Sequence, residues 1–226
     1  MQAHSVGMHV YRMEIAEALS EVMGDVIQHI YYKSETTLPF KADLGQENGF
    51  IKGGSPENIA MEYGLKFHVD WLKGQKTGFF VDQRENRHLL EQYAKGRNVL
   101  NMFCYTGGFS FYAMRGGANL VHSVDSSAKA IDLTNQNVEL NFPGDTRHQA
   151  YAEDAFKYLD RMGADGEHDI SLIPAEGEHS AAGICYGASA GGGRVFNATS
   201  ANGLLYSLEQ LPVQSGTRLP MVLNVA

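Results

Sequence analysis

The sequence predicts an α/β protein: a doubly wound parallel sheet preceded by a small α+β segment. Three observations carry that expectation. From residue 97 to residue 162, apolar β-prone runs alternate with segments of helical spacing, the pattern of parallel strands joined by right-handed crossovers. The first of those runs, residues 97–103, ends abruptly before Gly107-Gly108, and residues 109–115 then have helical spacing. A carboxylate, Asp125, follows about 20 residues after that first strand, where a βαβ unit places an acid beside a ribose.

The elements follow in order. Residues 4–12 alternate loosely and read as a strand, and residues 13–23 place Ile15, Ala18, Leu19 and Val22 on one helical face. Residues 25–32 form a second strand candidate. Residues 34–56 are polar and glycine-containing, a loop or irregular hairpin. Two short β-prone runs in residues 59–71 flank Tyr63-Gly64 as a hairpin. A helix opens at about Asp82. After the strand at 97–103 and the helix at 109–115 come a strand at 120–125, a helix at 127–140, a strand at 147–151 and a helix at 155–162.

The chain has 226 residues, room for one large domain or two small ones and for a sizeable core. Its formal net charge of −8 argues against a free-standing nucleic-acid binder, because neutralising phosphates needs a basic face. The two cysteines, Cys104 and Cys185, lack CxxC or Cys/His metal spacing, which suits a reduced compartment. The opening Met1-Gln-Ala-His-Ser5 has neither a basic n-region nor an apolar h-region, and no apolar run approaches the roughly 20 residues of a spanning helix. The expectation is a soluble, cytoplasmic protein with no membrane segment.

Charge is unevenly spread. Residues 1–170 hold 16 of the 18 Lys+Arg and 23 of the 26 Asp+Glu, whereas residues 171–226 hold five charges in 56 positions, with no lysine and no aspartate. The drop at about Asp169 reads either as a buried domain core or as a junction between sequences of different origin.

Ligands of open parallel sheets bind at the carboxyl ends of the strands, and Gly107, Asp125 and Asp154 all fall at such ends. Glycines let a backbone approach a ligand closely, and Asp125 can accept two hydrogen bonds from a ribose diol. The competing reading is an ordinary strand-to-helix turn whose acid caps the next helix. A second informative stretch is Gly74-Gln-Lys-Thr-Gly-Phe-Phe-Val-Asp-Gln-Arg-Glu-Asn-Arg87, where two glycines bracket Lys76 and Thr77. It reads either as a capped helix start, with Asp82 as N-cap and Glu85 at the third helical position, or as a ligand loop. In the ligand reading Phe79 and Phe80 flank a flat group while Asp82 and Arg84 contact its polar edge.

With these stretches in view, residues 1–170 resemble the class I S-adenosylmethionine-dependent methyltransferases of the large-subunit rRNA cytosine-C5 type. The resemblance rests on the Gly74–Arg87 stretch, Asn101-Met-Phe-Cys-Tyr-Thr-Gly-Gly-Phe-Ser110, Ser123-Val-Asp-Ser-Ser127 and Ala152-Glu-Asp-Ala-Phe156. It implies a Rossmann-like methyltransferase sheet with S-adenosyl-L-methionine as cofactor and rRNA as partner. The turn at residues 105–108 would lie against the methionine part, Asp125 would hold the ribose hydroxyls, and Asp154 would bond the adenine amino group. The loop at residues 79–84 would close over the cofactor. The implied cofactor-binding set is Phe79, Phe80, Asp82, Arg84, Asn101, Phe103, Tyr105, Thr106, Gly107, Gly108, Asp125, Ser126, Asp154 and Ala155. No metal ligand is implied.

The resemblance stops at both ends. The family's N-terminal RNA-binding module is not represented, and Glu167-His-Asp-Ile170, where its fourth strand begins, does not run into the family's Asp-Pro-Pro-aromatic motif. Methylation at cytosine C5 needs a thiolate to attack C6. Cys104 lies inside the cofactor turn and Cys185 in unrelated sequence, and both read as small buried hydrophobes. No catalytic residue is therefore assigned, and impaired transfer is expected.

Residues 171–226 resemble instead the pyrimidine-binding domain of pyruvate (2-oxoacid):ferredoxin oxidoreductases. That likeness rests on Pro174-Ala-Glu-Gly-Glu-His-Ser-Ala-Ala-Gly183, Gly187-Ala-Ser-Ala-Gly-Gly-Gly-Arg-Val-Phe-Asn-Ala-Thr-Ser200 and Gly203-Leu-Leu-Tyr-Ser-Leu208. It implies that Glu178 touches the aminopyrimidine of thiamine diphosphate. The second domain such a cofactor requires, with a Gly-Asp-Gly motif and an asparagine, is not represented, so Glu178 also reads as an acid at a helix N-terminus. The tail reads as βαβαβ: strands at 171–173, 194–198 and 221–225, helices at 178–190 and 202–211. Its first strand could pair with the edge of the half-sheet and complete a hybrid doubly wound sheet. The expected organisation is a middle-domain remnant at 1–73, a cofactor half at 74–170 and the thiamine-like segment at 171–226. An evolved fusion and a reading frame joining two genes, the latter a non-catalytic chimeric remnant, both account for the junction.

Overall fold

Helices α1 (Val6–Val10) and α2 (Arg12–Met23) begin the computed structural model, which describes residues 1–39, 44–45, 47–54, 58–74, 78–199 and 202–225. The chain forms two units, Met1–Ala155 and Phe156–Ala226. α1 replaces the strand expected over residues 4–12. Ser5 is extended and its hydroxyl accepts from Met8 N, so a side-chain cap starts a helix where a short alternating run is compatible with either period. α2 lies where helical spacing placed it.

A 3₁₀ turn at Gly24–Val26 takes the first half of the next strand candidate, and β1 (Ile30–Tyr32) takes only its end. β1 pairs antiparallel with β2 (Gly49–Lys52), an irregular hairpin with a register shift between Ile30 and Tyr31. Residues 40–43, 46 and 55–57 of the polar stretch lie outside the described residues. β3 (Ile59–Glu62) and β4 (Leu65–His68) form the expected hairpin. Its two turn residues, Tyr63 and Gly64, have φ 45° and 82°, the left-handed pair that matches the twist of the flanking strands.

A 3₁₀ turn at Val81–Gln83 leads into α3 (Arg84–Tyr93). The capping box expected from Asp82 and Glu85 does not form. Gln83 occupies the cap without a side-chain bond, and the Glu85 carboxylate accepts from the Tyr63 hydroxyl at 2.9 Å instead. A tertiary partner has displaced the local one. β5 (Asn98–Met102), α4 (Gly108–Arg115), β6 (Leu120–Asp125), α5 (Ala128–Asn141) and β7 (His148–Ala152) then build a parallel sheet of order β5-β6-β7. Each of these elements starts and stops within about a residue of the sequence expectation.

One core serves the sheet and the β3–β4 hairpin. Leu65, Phe67 and Val69 pack with Phe111, Tyr112, Ala113 and Met114 of α4 and with Val121 and Val138. Burying each large apolar side chain stabilises the unit by about 1.5–3 kcal/mol. α5 closes the exposed side of β4 with two asparagines one turn apart. Asn137 accepts from His68 N at 2.6 Å, while Asn141 accepts from Lys66 N at 2.8 Å and donates to Lys66 O at 2.7 Å. An edge that could template another strand is thereby satisfied internally.

A buried ion pair pins α3 to the hairpin. Arg87 donates from Nε and Nη2 to the two carboxylate oxygens of Glu62, both at 2.8 Å, with side-chain exposures of 4% and 7%. Its Nη1 donates to Phe80 O at 3.0 Å, and its guanidinium lies 4.8 Å from the centre of the Phe79 ring. The Tyr112 hydroxyl adds a bond to Glu62 at 2.9 Å. Both oxygens of this carboxylate are engaged by a charged or hydroxyl donor, which is what a buried charge requires.

In the second unit, α6 (Ala155–Ala164) is followed by an irregular stretch, α7 (Glu178–Ala190), β8 (Phe196–Thr199), α8 (Asn202–Tyr206), α9 (Gln210–Thr217) and β9 (Val222–Val225). β8 and β9 pair in parallel. Residues 167–173 form neither the fourth strand implied by the methyltransferase resemblance nor the strand on which a hybrid sheet depended. The run stops at Pro174, which has no backbone donor for a ladder. The helix expected over residues 202–211 is split in two. Pro212 cannot donate back to Leu208, and the Ser207 hydroxyl bonds back to Gly203 O and Leu204 O where the first helix ends. Among the described residues no helix is long and apolar enough to cross a membrane.

Arg87→Met alone leaves Glu62 buried without its partner and is expected to lower unfolding stability in urea by about 3–5 kcal/mol. Glu62→Leu combined with Arg87→Met is expected to recover most of that loss. A double variant as unstable as the single one would show that the pair is not the source of the effect.

Candidate functional site

The carboxyl end of β5 leaves the sheet through a strained turn. Phe103, Tyr105 and Gly107 have φ 55°, 49° and 80°, three left-handed residues within five. For the two aromatics that conformation costs about 1–2 kcal/mol each, so the surroundings must hold it. They do so through backbone groups on both sides of the turn. Cys104 N donates to Val124 O, Tyr105 N to Asp125 Oδ2, and Gly107 N to Cys104 O, at 3.0, 2.9 and 2.8 Å. Tyr105 O accepts from Thr134 Oγ1 at 3.0 Å, and Thr106 O from Asn137 Nδ2 at 3.3 Å. Gly107 admits no side chain: a Cβ would sit 2.6 Å from Thr134 Cγ2 and 2.8 Å from Phe111 Cζ. Gly108, the first residue of α4, is covered by Arg87, whose Cδ would lie 3.1 Å from an added Cβ.

Asp125 ends β6 and faces that turn. Its Oδ2 takes Tyr105 N and its Oδ1 takes Ser127 N, both at 2.9 Å. A carboxylate offers about four acceptor positions, so each oxygen keeps room for one further donor. That fits a vicinal diol. The competing reading, in which the acid caps the next helix, is taken by another residue: Ser127 is the N-cap of α5, its hydroxyl accepting from Ala130 N at 3.3 Å. Ser126 between them is exposed. At the end of β7, Glu153 N donates to Asp125 O at 3.0 Å, which places exposed Asp154 one residue beyond the β6 terminus. Ala155 is buried at the start of α6.

The aromatic loop divides. The Phe80 ring meets Tyr105 edge-on, with centroids 5.6 Å apart, and so belongs to the turn. Phe79 packs on Phe67 at 4.9 Å beneath Arg87 and helps to build the core. Asp82 accepts from its neighbour Gln83, and exposed Arg84 pairs with Glu85 at 3.2 Å. Lys76 and Thr77 lie outside the described residues. Phe103 is 64% exposed beside the turn. Asn101 faces inward, donating to Ser110 Oγ at 2.9 Å. From there a polar chain continues through Ser110 Oγ to Ser123 Oγ at 2.6 Å and His148 Nε2 at 2.8 Å. Burial, reinforced by neighbouring His122, holds His148 down at about 4.

Neither cysteine is a thiolate at neutral pH. Burial, and then the Asp125 charge, push Cys104 up to about 12, and burial also raises Cys185. Glu178 opens α7 exposed to solvent, against the start of α8, where a Cβ on Gly203 would lie 3.0 Å from its Oε1. Among the described residues no three His, Cys, Asp or Glu side chains are grouped to hold a metal ion.

Sequence reasoning missed Arg87 and Asn137. The signal for Arg87 was an arginine three residues after Arg84, on the apolar face of α3. For Asn137 and Asn141 it was amides at helical spacing with Thr134, on the face that α5 buries.

Two families match. Residues 50–181 match S-adenosylmethionine-dependent methyltransferase, and residues 152–226 match the thiamine diphosphate-binding region of pyruvate flavodoxin/ferredoxin oxidoreductase, a smaller match. A ribosomal RNA large subunit methyltransferase I of Aeromonas hydrophila subsp. hydrophila is 37% identical over 194 residues, covering 82% of this chain and 48% of that protein. The chain thus spans about half the length of the curated relatives it matches. A solved structure of a proposed SAM-dependent methyltransferase from Streptococcus mutans aligns with a TM-score of 0.64 and 27% identity, covering 73% of this chain and 42% of that one. A second proposed methyltransferase, complexed with SAH, aligns with a TM-score of 0.61 and 28% identity, covering 70% and 40%.

The His148 imidazole yields a pH dependence of known sign. Its folded pKa of about 4 lies below the ordinary 6.5. Above pH 6.5 the ring is neutral in both states and nothing is lost. As pH falls from 6.5 towards 4, the unfolded chain takes up a proton that the folded chain refuses, so stability declines. The urea midpoint of the wild-type chain should therefore fall more between pH 7 and pH 5 than that of His148→Gln. Parallel declines would remove His148 as the cause.

Proposed function

The chain belongs to the S-adenosylmethionine-dependent methyltransferase family, and on that premise we propose that it binds S-adenosyl-L-methionine at the turn between β5 and α4. The observation that carries this reading is the doubly anchored Asp125 carboxylate, held by Tyr105 N and Ser127 N with acceptor capacity to spare. In this reading Asp125 takes the ribose hydroxyls. The turn at residues 105–108 lies against the methionine part, with Phe103, Ser126 and Ala155 around it. Asp154, at the next strand end, takes the adenine amino group, and Phe80 with Tyr105 covers one side. Phe79 and Asn101 support the site from within, and Asp82 and Arg84 lie on the loop beside it. Residues 74–170 act as the cofactor half, preceded by a middle-domain segment at 1–73.

The cofactor supplies a methyl group on a sulfonium centre to an electron-rich acceptor. We assign the acceptor to a base of large-subunit rRNA, because the curated relatives named above are ribosomal RNA large subunit methyltransferases. Cytosine C5 is the atom that the family resemblance implies. Attack there requires a thiolate on C6, and the Cys104 thiol, 6% exposed and pushed up to about 12, does not supply one. The sequence also holds no Asp-Pro-Pro motif. This chain by itself accordingly binds the cofactor without efficient transfer to cytosine.

A second reading rests on the match over residues 152–226, which makes Glu178 a contact for thiamine diphosphate. The sequence carries no Gly-Asp-Gly motif to hold a metal and diphosphate. Glu178 then serves as an acid at the positive end of the α7 dipole.

Isothermal titration with S-adenosylhomocysteine separates these readings. The wild-type chain should bind it, and Asp125→Ala should weaken binding by roughly tenfold to a hundredfold, the loss expected for hydrogen bonds to a charged acceptor. An affinity that Asp125→Ala leaves unchanged would refute the ribose assignment. Thiamine diphosphate binding that disappears in Glu178→Gln would favour the second reading instead.

A further inference from the structure

We propose that Thr134 and Asn137 of α5 are positioning residues for cofactor binding, acting through the Tyr105–Thr106 backbone on Asp125; this rests on the reading of that turn as the S-adenosyl-L-methionine site. The two side chains stand three residues apart on one face of α5, and both are fully buried. Each takes a carbonyl of the strained turn: Thr134 Oγ1 shares its one proton between Tyr105 O at 3.0 Å and Ala130 O of its own helix at 2.9 Å, and Asn137 Nδ2 donates to Thr106 O at 3.3 Å. Two successive carbonyls are thus tied to the helix. With them fixed, the Tyr105 N–H is set towards the sheet end, where it donates to Asp125 Oδ2 at 2.9 Å.

The chain of cause is short. Tyr105 holds φ 49°, a conformation that a tyrosine leaves unless its neighbours prevent it. Without its two carbonyl anchors the peptide is free to relax towards ordinary φ. The Tyr105 N–H then leaves Asp125, and the carboxylate keeps only its bond from Ser127 N. The cofactor would have to restore that geometry on binding, which lowers its affinity.

The hydrogen-bond inventory of α5 supplies an internal control. Asn137 also accepts from His68 N, and Asn141 performs the equivalent service for Lys66 N and Lys66 O, one turn further from the site. The remaining bond of Asn141 stays within α5, to Asn137 O at 2.8 Å. Loss of hairpin docking and loss of turn positioning are therefore separable in one helix.

The test is isothermal titration of the full chain with S-adenosylhomocysteine, with a urea midpoint for each variant. Thr134→Val keeps shape and volume but removes the hydroxyl, and should weaken binding about tenfold. Thr134→Ser restores the hydroxyl and should bind within about threefold of wild type. Asn137→Ala should weaken binding at least as much as Thr134→Val, whereas Asn141→Ala should lower the urea midpoint and leave affinity within about twofold. If the wild-type chain binds and Thr134→Val binds equally well, the positioning role is wrong. Equal weakening by Asn141→Ala would also overturn it, by showing a general effect of docking. A wild-type chain that binds no S-adenosylhomocysteine instead refutes the cofactor reading, and this proposal with it.

Discussion

Both loops at the carboxyl end of the sheet close on one carboxylate. Asp125 accepts Tyr105 N from the turn after β5 and Ser127 N from the start of α5, and its own carbonyl accepts Glu153 N from the end of β7. Three consecutive strand ends are thereby tied at a single residue. A glycine with φ 80° and two aromatics in the left-handed region are tolerated beside it because Cys104 N, Tyr105 N and the carbonyls of Tyr105 and Thr106 all have fixed partners. Strain, a satisfied backbone and an acid with spare acceptor capacity coincide at the point where open parallel sheets bind their ligands.

The second dependency is the buried pair of Arg87 and Glu62. It joins the β3–β4 hairpin to α3, reaches the Phe80 carbonyl, and covers Gly108 at the start of α4. A pair so placed contributes less as net stability than as specification: the charges have one arrangement that satisfies them, and it fixes the loop beside the turn. The hairpin is consequently held on two sides, by Arg87 through Glu62 and by Asn137 and Asn141 through the backbone of β4. Cofactor turn, aromatic loop and hairpin share supports.

The parts legible in the sequence are those where local period and tertiary environment agree. β5, α4, β6, α5 and β7 alternate cleanly because each buries a full face, and the acids at their ends are read from spacing alone. Where a distant partner decides, local reading fails. Glu85 abandons a capping box for the Tyr63 hydroxyl, and Arg87 is buried only because Glu62, 25 residues earlier, waits for it. Of the two aromatics expected beside a ligand, Phe79 packs against the core on Phe67, whereas Phe80 reaches Tyr105. Short elements fail for another reason. Ser5 turns an ambiguous run into α1, and Pro212 cuts a long helix into α8 and α9.

The charge break near Asp169 lies in the irregular stretch between α6 and α7, where two family matches overlap. The proposed cofactor site is centred on the methyltransferase side of that overlap, at the turn beside Asp125. Nitrogen-15 NMR titration with S-adenosylhomocysteine tests that claim most directly, because two backbone amides report on the carboxylate itself. The account expects the Tyr105 and Ser127 amides to shift together and saturate with the ligand, with Gly107 following. Saturable shifts confined to other parts of the chain, with those two amides unmoved, would contradict it.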